Sequence, residues 1–164
     1  MIYQTDKRLN SQIQSWGCYF RSLQGIAEFV SKKTLTAIQI NGLYFRGWQE
    51  EEKQWNGEMQ APMESNCYVN YPHKIISQAF TELGLGYQCT QIGANKGNRG
   101  KSPTFWDSVV SSLDFSYDYQ IQWYKDGLSF SHAVLADRHG RVIFNPDPML
   151  ELKGVPEVEL WRIR

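Results

Sequence analysis

The chain lacks any excess of charge: among 164 residues, seventeen Lys and Arg stand against seventeen Asp and Glu. That balance removes the electrostatic footprint of a nucleic-acid binder or of a protein held at an anionic membrane surface. Cysteine is scarce. Cys18, Cys67 and Cys89 are an odd set without CxxC spacing, which argues against a disulfide framework and against a zinc site. No apolar run approaches the roughly 18 to 20 residues that span a bilayer. The opening "MIYQTDKRLN" is too polar for the hydrophobic region of a signal peptide. These absences lead us to expect a cytoplasmic protein of a reducing compartment, with neither nucleic acid nor membrane as partner.

Aromatic residues are abundant: eight Phe, nine Tyr and six Trp. They suit a rich core or an aromatic-lined cleft. The length suits one domain, 1–164, with a sizeable core. Apolar positions Tyr19, Leu23, Ile26, Ala27 and Val30 recur at helical spacing from Cys18 to about Ser31. Thr36 is a good cap for a second helix carrying Ala37, Ile38, Ile40, Leu43 and Tyr44. The mixed "RGWQEEEKQWNGEMQAPMESN" has no clear period and reads as a long loop, with "EEEK" solvated. A third helix opens at Pro72 and stops at Gly84. "YQCTQI" reads as a strand, followed by a Gly/Asn/Lys loop and a helix from Pro103 to about Leu113. Strands follow at "YDYQIQWYK", "SHAVLAD", "RVIFN" and "VELWRI", with "DRHG" as a tight turn. Helices first and an antiparallel sheet afterwards is an α+β order.

Three histidines limit the candidates for a general base. Cys18 stands at a predicted helix start, where the macrodipole lowers a thiol pKa. Gly17 leaves room for a substrate backbone. Gln12, in the preceding loop, can aim its amide at an oxyanion beside the Cys18 N–H. His132 opens the strand "SHAVLAD", a placement that suits a base with a defined rotamer. "FNPDP" offers Asn145 and Asp147 as its partner. A symmetric turn over Arg138 and His139 sets Asn145 opposite His132, and a tighter turn sets Asp147 there. A one-residue slip moves both candidates to the other face.

Gln12, Cys18 at a helix start, "SHAV" on a strand and Asn or Asp before proline together resemble the papain-like cysteine peptidases. The nearest flavour is the bacteriocin-processing and related bacterial enzymes. The resemblance implies a papain-like fold, a helical N-terminal half packed on a C-terminal antiparallel sheet. It also implies hydrolysis of a peptide or isopeptide bond in a peptide or protein substrate, with no metal or organic cofactor. Carried over by position, Cys18 is the nucleophile, His132 the base and Asn145 its orienting partner, with Asp147 in reserve. Gln12 is the oxyanion donor, and Trp16, Gly17 and Tyr19 line the substrate cleft. Bulky Tyr19 and Phe20 follow the cysteine where such enzymes commonly have small residues. "WGCYFRSL" and "SNCYVNYPHKI" also resemble an uncharacterised family of spirochaetes and their phages, which implies action in a host cytoplasm and brings no activity. A non-catalytic binding protein on the same fold, holding a peptide or nucleotide-like ligand, is the competing expectation.

Cys67 and Cys89 read as packed thiols. "GANKGNRGKS" ends like a phosphate loop, yet Asn95 replaces the required glycine and Pro103 removes a donor from the helix start. Trp106, Trp123, Tyr124 and Trp161 read as core, and Trp16 as cleft wall.

Overall fold

A computed structural model of the protein describes residues 1–54, 67, 69–94, 118–125, 127–128 and 130–164. Among them the order is α1 (Ser11–Trp16), α2 (Cys18–Ser31), α3 (Ala37–Gln54), α4 (Pro72–Glu82), β1 (Cys89–Ala94), β2 (Asp118–Tyr124), β3 (His132–Asp137), β4 (Val142–Phe144) and β5 (Glu157–Ile163). The strands form one antiparallel sheet in the order β1-β5-β2-β3-β4. The α+β class is as expected. The expected helix 103–113, most of the loop 93–102 and Trp106 lie outside the described residues. No helix among the described residues is long and apolar enough to cross a membrane.

Local chemistry explains the ends of the helices. Thr36 Oγ1 accepts the Gln39 N–H while Gln39 Oε1 accepts the Thr36 N–H, a reciprocal capping box at α3. At the far end of α4, Gly84 has φ +78°, its N–H reaches Thr81 O, and the Leu85 N–H reaches Phe80 O. Those two bonds satisfy carbonyls the helix leaves open, so glycine stops α4 where the sequence indicated. The end of α3 differs from expectation. "RGWQEEEKQ" continues the helix, because Glu51 is buried and accepts the Asn70 and Tyr71 N–H groups at 2.9 and 3.0 Å. One of the "EEEK" carboxylates thus ties α3 to the chain entering α4, and residues 55–66 lie outside the described residues.

The helix α2 packs between α4 and β3 and is buried continuously from Cys18 to Glu28. Phe20, Leu23 and Ile26 are fully enclosed, each worth about 1.5–3 kcal/mol of transfer free energy. Gly25 permits the close approach to the sheet: a Cβ there would meet Leu135 Cδ2 at 3.0 Å and Phe144 Cδ1 at 3.3 Å. A helix enclosed on every side must pair its polar groups. Arg21 donates to Glu28 Oε2 at 3.0 Å and twice to the Ile2 carbonyl, and Glu28 Oε1 accepts the Leu35 N–H. Ser22 Oγ donates to the Ala133 carbonyl on β3 at 3.1 Å.

Replacing Arg21 with Ala leaves the Glu28 charge enclosed and unpaired. We expect a loss of about 3–5 kcal/mol in urea unfolding. Arg21→Met combined with Glu28→Gln should recover a large part of it, and equal loss in both variants would show that the pair is not the cause.

Candidate active site

Asn10 caps α1 by accepting the Ile13 N–H at 3.0 Å. The Gly17 N–H then bonds to Ile13 O, and the Arg21 N–H to Gly17 O, both at 2.8 Å. One residue therefore separates the two helices and Cys18 is the first residue of α2. The expected role of Gly17 is corrected by this junction. A Cβ on Gly17 would lie 2.5 Å from Ile13 O and 2.7 Å from Ile13 Cγ2, so the bare Cα serves helix packing. Gly17 is not among the described residues lining the cavity beside Cys18.

Cys18 is 8 % exposed. Burial pushes its thiol pKa up, and this outweighs the opposing pull of the Ala133, Tyr19 and Cys18 N–H groups. The negative charge of Asp147 adds to the rise. The helix start is where the sequence indicated, but the expected lowering is overturned by desolvation. The Ala133 N–H belongs to the residue after His132, so the thiol lies against the entry of β3.

His132 is fully enclosed, and its Nε2 lies 2.8 Å from Asn145 Oδ1. The same oxygen accepts the Asp147 N–H at 3.2 Å, while Asn145 Nδ2 donates to Leu150 O. Asn145 therefore presents an acceptor, Nε2 carries the proton and Nδ1 keeps its lone pair. Nδ1 is buried and makes no hydrogen bond, so the thiol and the imidazole are not hydrogen-bonded in this structure. Burial pulls the His132 pKa below its ordinary 6.5, against the opposing effects of Asn145 and Asp147. The ring is neutral at neutral pH.

Neither turn proposed from sequence describes the β3–β4 register. The Asp137 N–H pairs with Arg141 O, and a shift between Leu135 and Ala136 sets Leu135 opposite Phe144. Continued to His132, that register would oppose Asp147. But β4 ends at Phe144, and the Asn145 side chain reaches His132 from the turn that follows. Asp147 uses Oδ1 to accept the Met149 N–H and acts on both His132 and Cys18 through its charge alone.

A cavity of about 770 Å³ opens beside Cys18. Trp16 and Phe130, 48 % and 40 % exposed and in edge contact, stand in its wall with Tyr19 and Trp123. Trp16 and Tyr19 line this cavity, and so does Trp123, which is therefore not purely core. Phe20 is core, edge-on to Tyr44. Gln12 lies on α1, half-buried and outside the cavity wall, because residues 11–16 are helix and not the expected loop. His132 and Asn145 are likewise not among the described residues that line it.

Sequence reasoning missed several residues of that wall, among them four with side chains that bear on its chemistry. Gln4 is 5 % exposed and its N–H bonds to Pro146 O. Its Nε2 gives one proton to Gln14 O, and its Oε1 is buried without a partner. No spacing rule points to it. Glu159 does carry a signal, since alternation along "VELWRI" sets a carboxylate on the same apolar face as Trp161 and Ile163. Cys67 lines the same cavity, with its thiol pushed well above the ordinary value by burial and by Cys18 and Glu51. Phe130 completes the set. Cys89 lies elsewhere, its Sγ 3.3 Å from His73 O.

Residues 1–87 match the family described as "Protein of unknown function, DUF261", more than half of the chain. The chain belongs to this family. The DUF261 match covers α1 to α4 with Gln4, Cys18 and Cys67, and stops before the sheet that carries His132 and Asn145. No curated protein and no solved structure matches the chain.

Because His132 is held neutral, folding resists its protonation. That contribution is full above pH 6.5 and is lost as pH falls toward the lowered folded value. We expect the melting temperature to drop below pH 6.5, and the drop to be smaller in His132→Gln. Identical acid dependence in the two proteins would contradict the burial of a neutral ring.

Proposed function

We propose that the protein is a thiol hydrolase on a papain-like fold that cleaves a peptide or isopeptide bond through Cys18, His132 and Asn145. The observation that carries this reading is the orientation of His132: Nε2 is engaged by Asn145 Oδ1 while Nδ1 is left without a partner. The thiol at the start of α2 lies beside the next backbone N–H. The packing of α2, whose first residue is the nucleophile of this reading, against the strand that starts with the base supports it further.

In this reading the resting pair is neutral. His132 Nδ1 takes the Cys18 proton as the sulfur attacks the carbonyl carbon, which gives a tetrahedral adduct and an imidazolium. The imidazolium returns the proton to the leaving amine, and the C–N bond breaks to leave an acyl-thioester. Water attacks this thioester with His132 again as base, releasing the acid and regenerating the thiol. The Cys18 N–H and the second Nε2 proton of Gln4 are the oxyanion donors. Gln4 replaces Gln12 in this role because it lines the cavity and Gln12 does not.

A binding protein on the same architecture is the second reading. It is favoured by the raised thiol pKa and by the absence of a thiol–imidazole hydrogen bond. Peptide-library hydrolysis separates the two. The hydrolase reading expects turnover that Cys18→Ala abolishes, that Gln4→Ala lowers in kcat by roughly a hundredfold, and that Gln12→Ala leaves nearly unchanged. Its acid limb should lie below pH 6.5, because burial lowers the His132 pKa. Iodoacetamide labelling at neutral pH, mapped by mass spectrometry, is the companion test. A Cys18 that labels no faster than Cys67 and Cys89 would sink the nucleophile assignment.

A further inference from the structure

We infer that the residue whose carbonyl is attacked lies extended in the cavity beside Cys18, with its own backbone N–H donating to Gln4 Oε1. The inference rests on the hydrolase reading and adds the contact that positions its substrate. Gln4 lines that cavity and is 5 % exposed. Its surroundings hold it from several directions. Two residues earlier, the Ile2 carbonyl accepts twice from Arg21. The Gln4 N–H bonds to Pro146 O at 2.9 Å. The side chain is held by its Nε2, which donates to the Gln14 carbonyl in the last turn of α1. Turning the amide over would set two acceptors against each other, so the oxygen is the atom left free. Oε1 is buried and has no hydrogen-bond partner. Such an acceptor carries its desolvation cost without return. Because it is shut off from bulk solvent, a donor seated in the cavity is what can meet it.

The chemistry of the carboxamide names that donor. An extended residue turns its own N–H and C=O toward the same side, as paired strands show. One side-chain amide can therefore serve both: Oε1 accepts the N–H, and the second Nε2 proton goes to the carbonyl oxygen. The carbonyl so held is the one that becomes the oxyanion in the hydrolase reading. The N–H contact sets the residue's direction before attack, and the Nε2 contact stabilises the charge that attack creates. A substrate class follows. The acyl part must be a main-chain carbonyl, because an Asp or Glu side-chain carbonyl has its nearest N–H at least one carbon further away. Proline is excluded at this position, since it has no N–H. An ester oxygen in place of the N–H would bring an acceptor against Oε1 and is disfavoured.

The test uses the full chain and needs no turnover. Cys18 is alkylated with N-acetylalanine chloromethyl ketone and with the O-acetyl-lactate chloromethyl ketone, in which oxygen replaces the single N–H. The rate ratio is read by mass spectrometry against the same ratio at Cys89, which lies outside the cavity wall. We expect the normalised ratio at Cys18 to favour the amide by roughly tenfold, and to fall to about one in Gln4→Met. A wild-type ratio near one would mean that water alone serves Oε1 and would overturn the inference, whatever the variant does. An amide preference that survives in Gln4→Met, or no alkylation of Cys18 by either reagent, would overturn it as well. Hydrolysis of library peptides after proline would also overturn it and leave the hydrolase reading standing. An amide preference that depends on Gln4, with no hydrolysis of any peptide, supports the N–H contact and sinks the hydrolase reading, so the two failures are distinguishable.

Discussion

Everything near the candidate site depends on one enclosed cation. Arg21 sits in the first turn of a helix that is buried continuously from Cys18 to Glu28, where an unpaired guanidinium cannot be tolerated. Glu28, two turns further along the same helix, supplies the charge, and the Ile2 carbonyl takes two further protons. Such a pair contributes little net stability against an apolar replacement. Its effect is geometric. By holding Ile2 it directs the N-terminal segment across α2, and the Gln4 N–H then docks on the Pro146 carbonyl next to Asn145. The nucleophile's helix, the partner of the base and the amide in the cavity wall thereby share one frame.

Within that frame the balance between helix field and burial sets the protonation of the site. A helix N-terminus stabilises a nearby anion by about 0.3–1 kcal/mol in ordinary settings, whereas full enclosure can move an ionisable group by several pH units. Burial wins over the helix field at Cys18, and burial also shifts Cys67 and His132 toward their neutral forms. The site therefore holds a neutral thiol and a neutral imidazole. A ligand that changes the solvation of this site would change the ionisation of both groups together, which links substrate entry to activation of the thiol in the hydrolase reading.

Much of the architecture was legible because it follows from local rules. Thr36, Pro72 and Gly84 set helix ends through capping and fixed φ, and Asp137 made the β3–β4 turn by accepting the His139 and Arg141 N–H groups. Strand formers in period two gave β2, β3 and β5. The errors arose where a local signal was overridden by a distant partner. The charged run after Arg46 looked solvated, yet Glu51 is withdrawn from water by backbone donors from the entrance to α4. Gln12 had the right spacing from Cys18, but Asn10 capped the intervening residues into a helix. Gly17 looked like room for a ligand, and Ile13 occupies that room.

By itself the sequence determined the α+β order, the position of Cys18 at a helix start, and His132 at the head of a strand. Each of these follows from periodicity and capping, which act over a few residues. Only the tertiary structure decided that Asn145 and not Asp147 meets the imidazole, because a register shift and the end of β4 at Phe144 are cooperative properties of the sheet. Only the tertiary structure brought Gln4, Cys67 and Glu159 to the cavity of Cys18. Their separations along the chain carry no periodic signature, and burial, which governs their chemistry, exists only once the chain has closed around them.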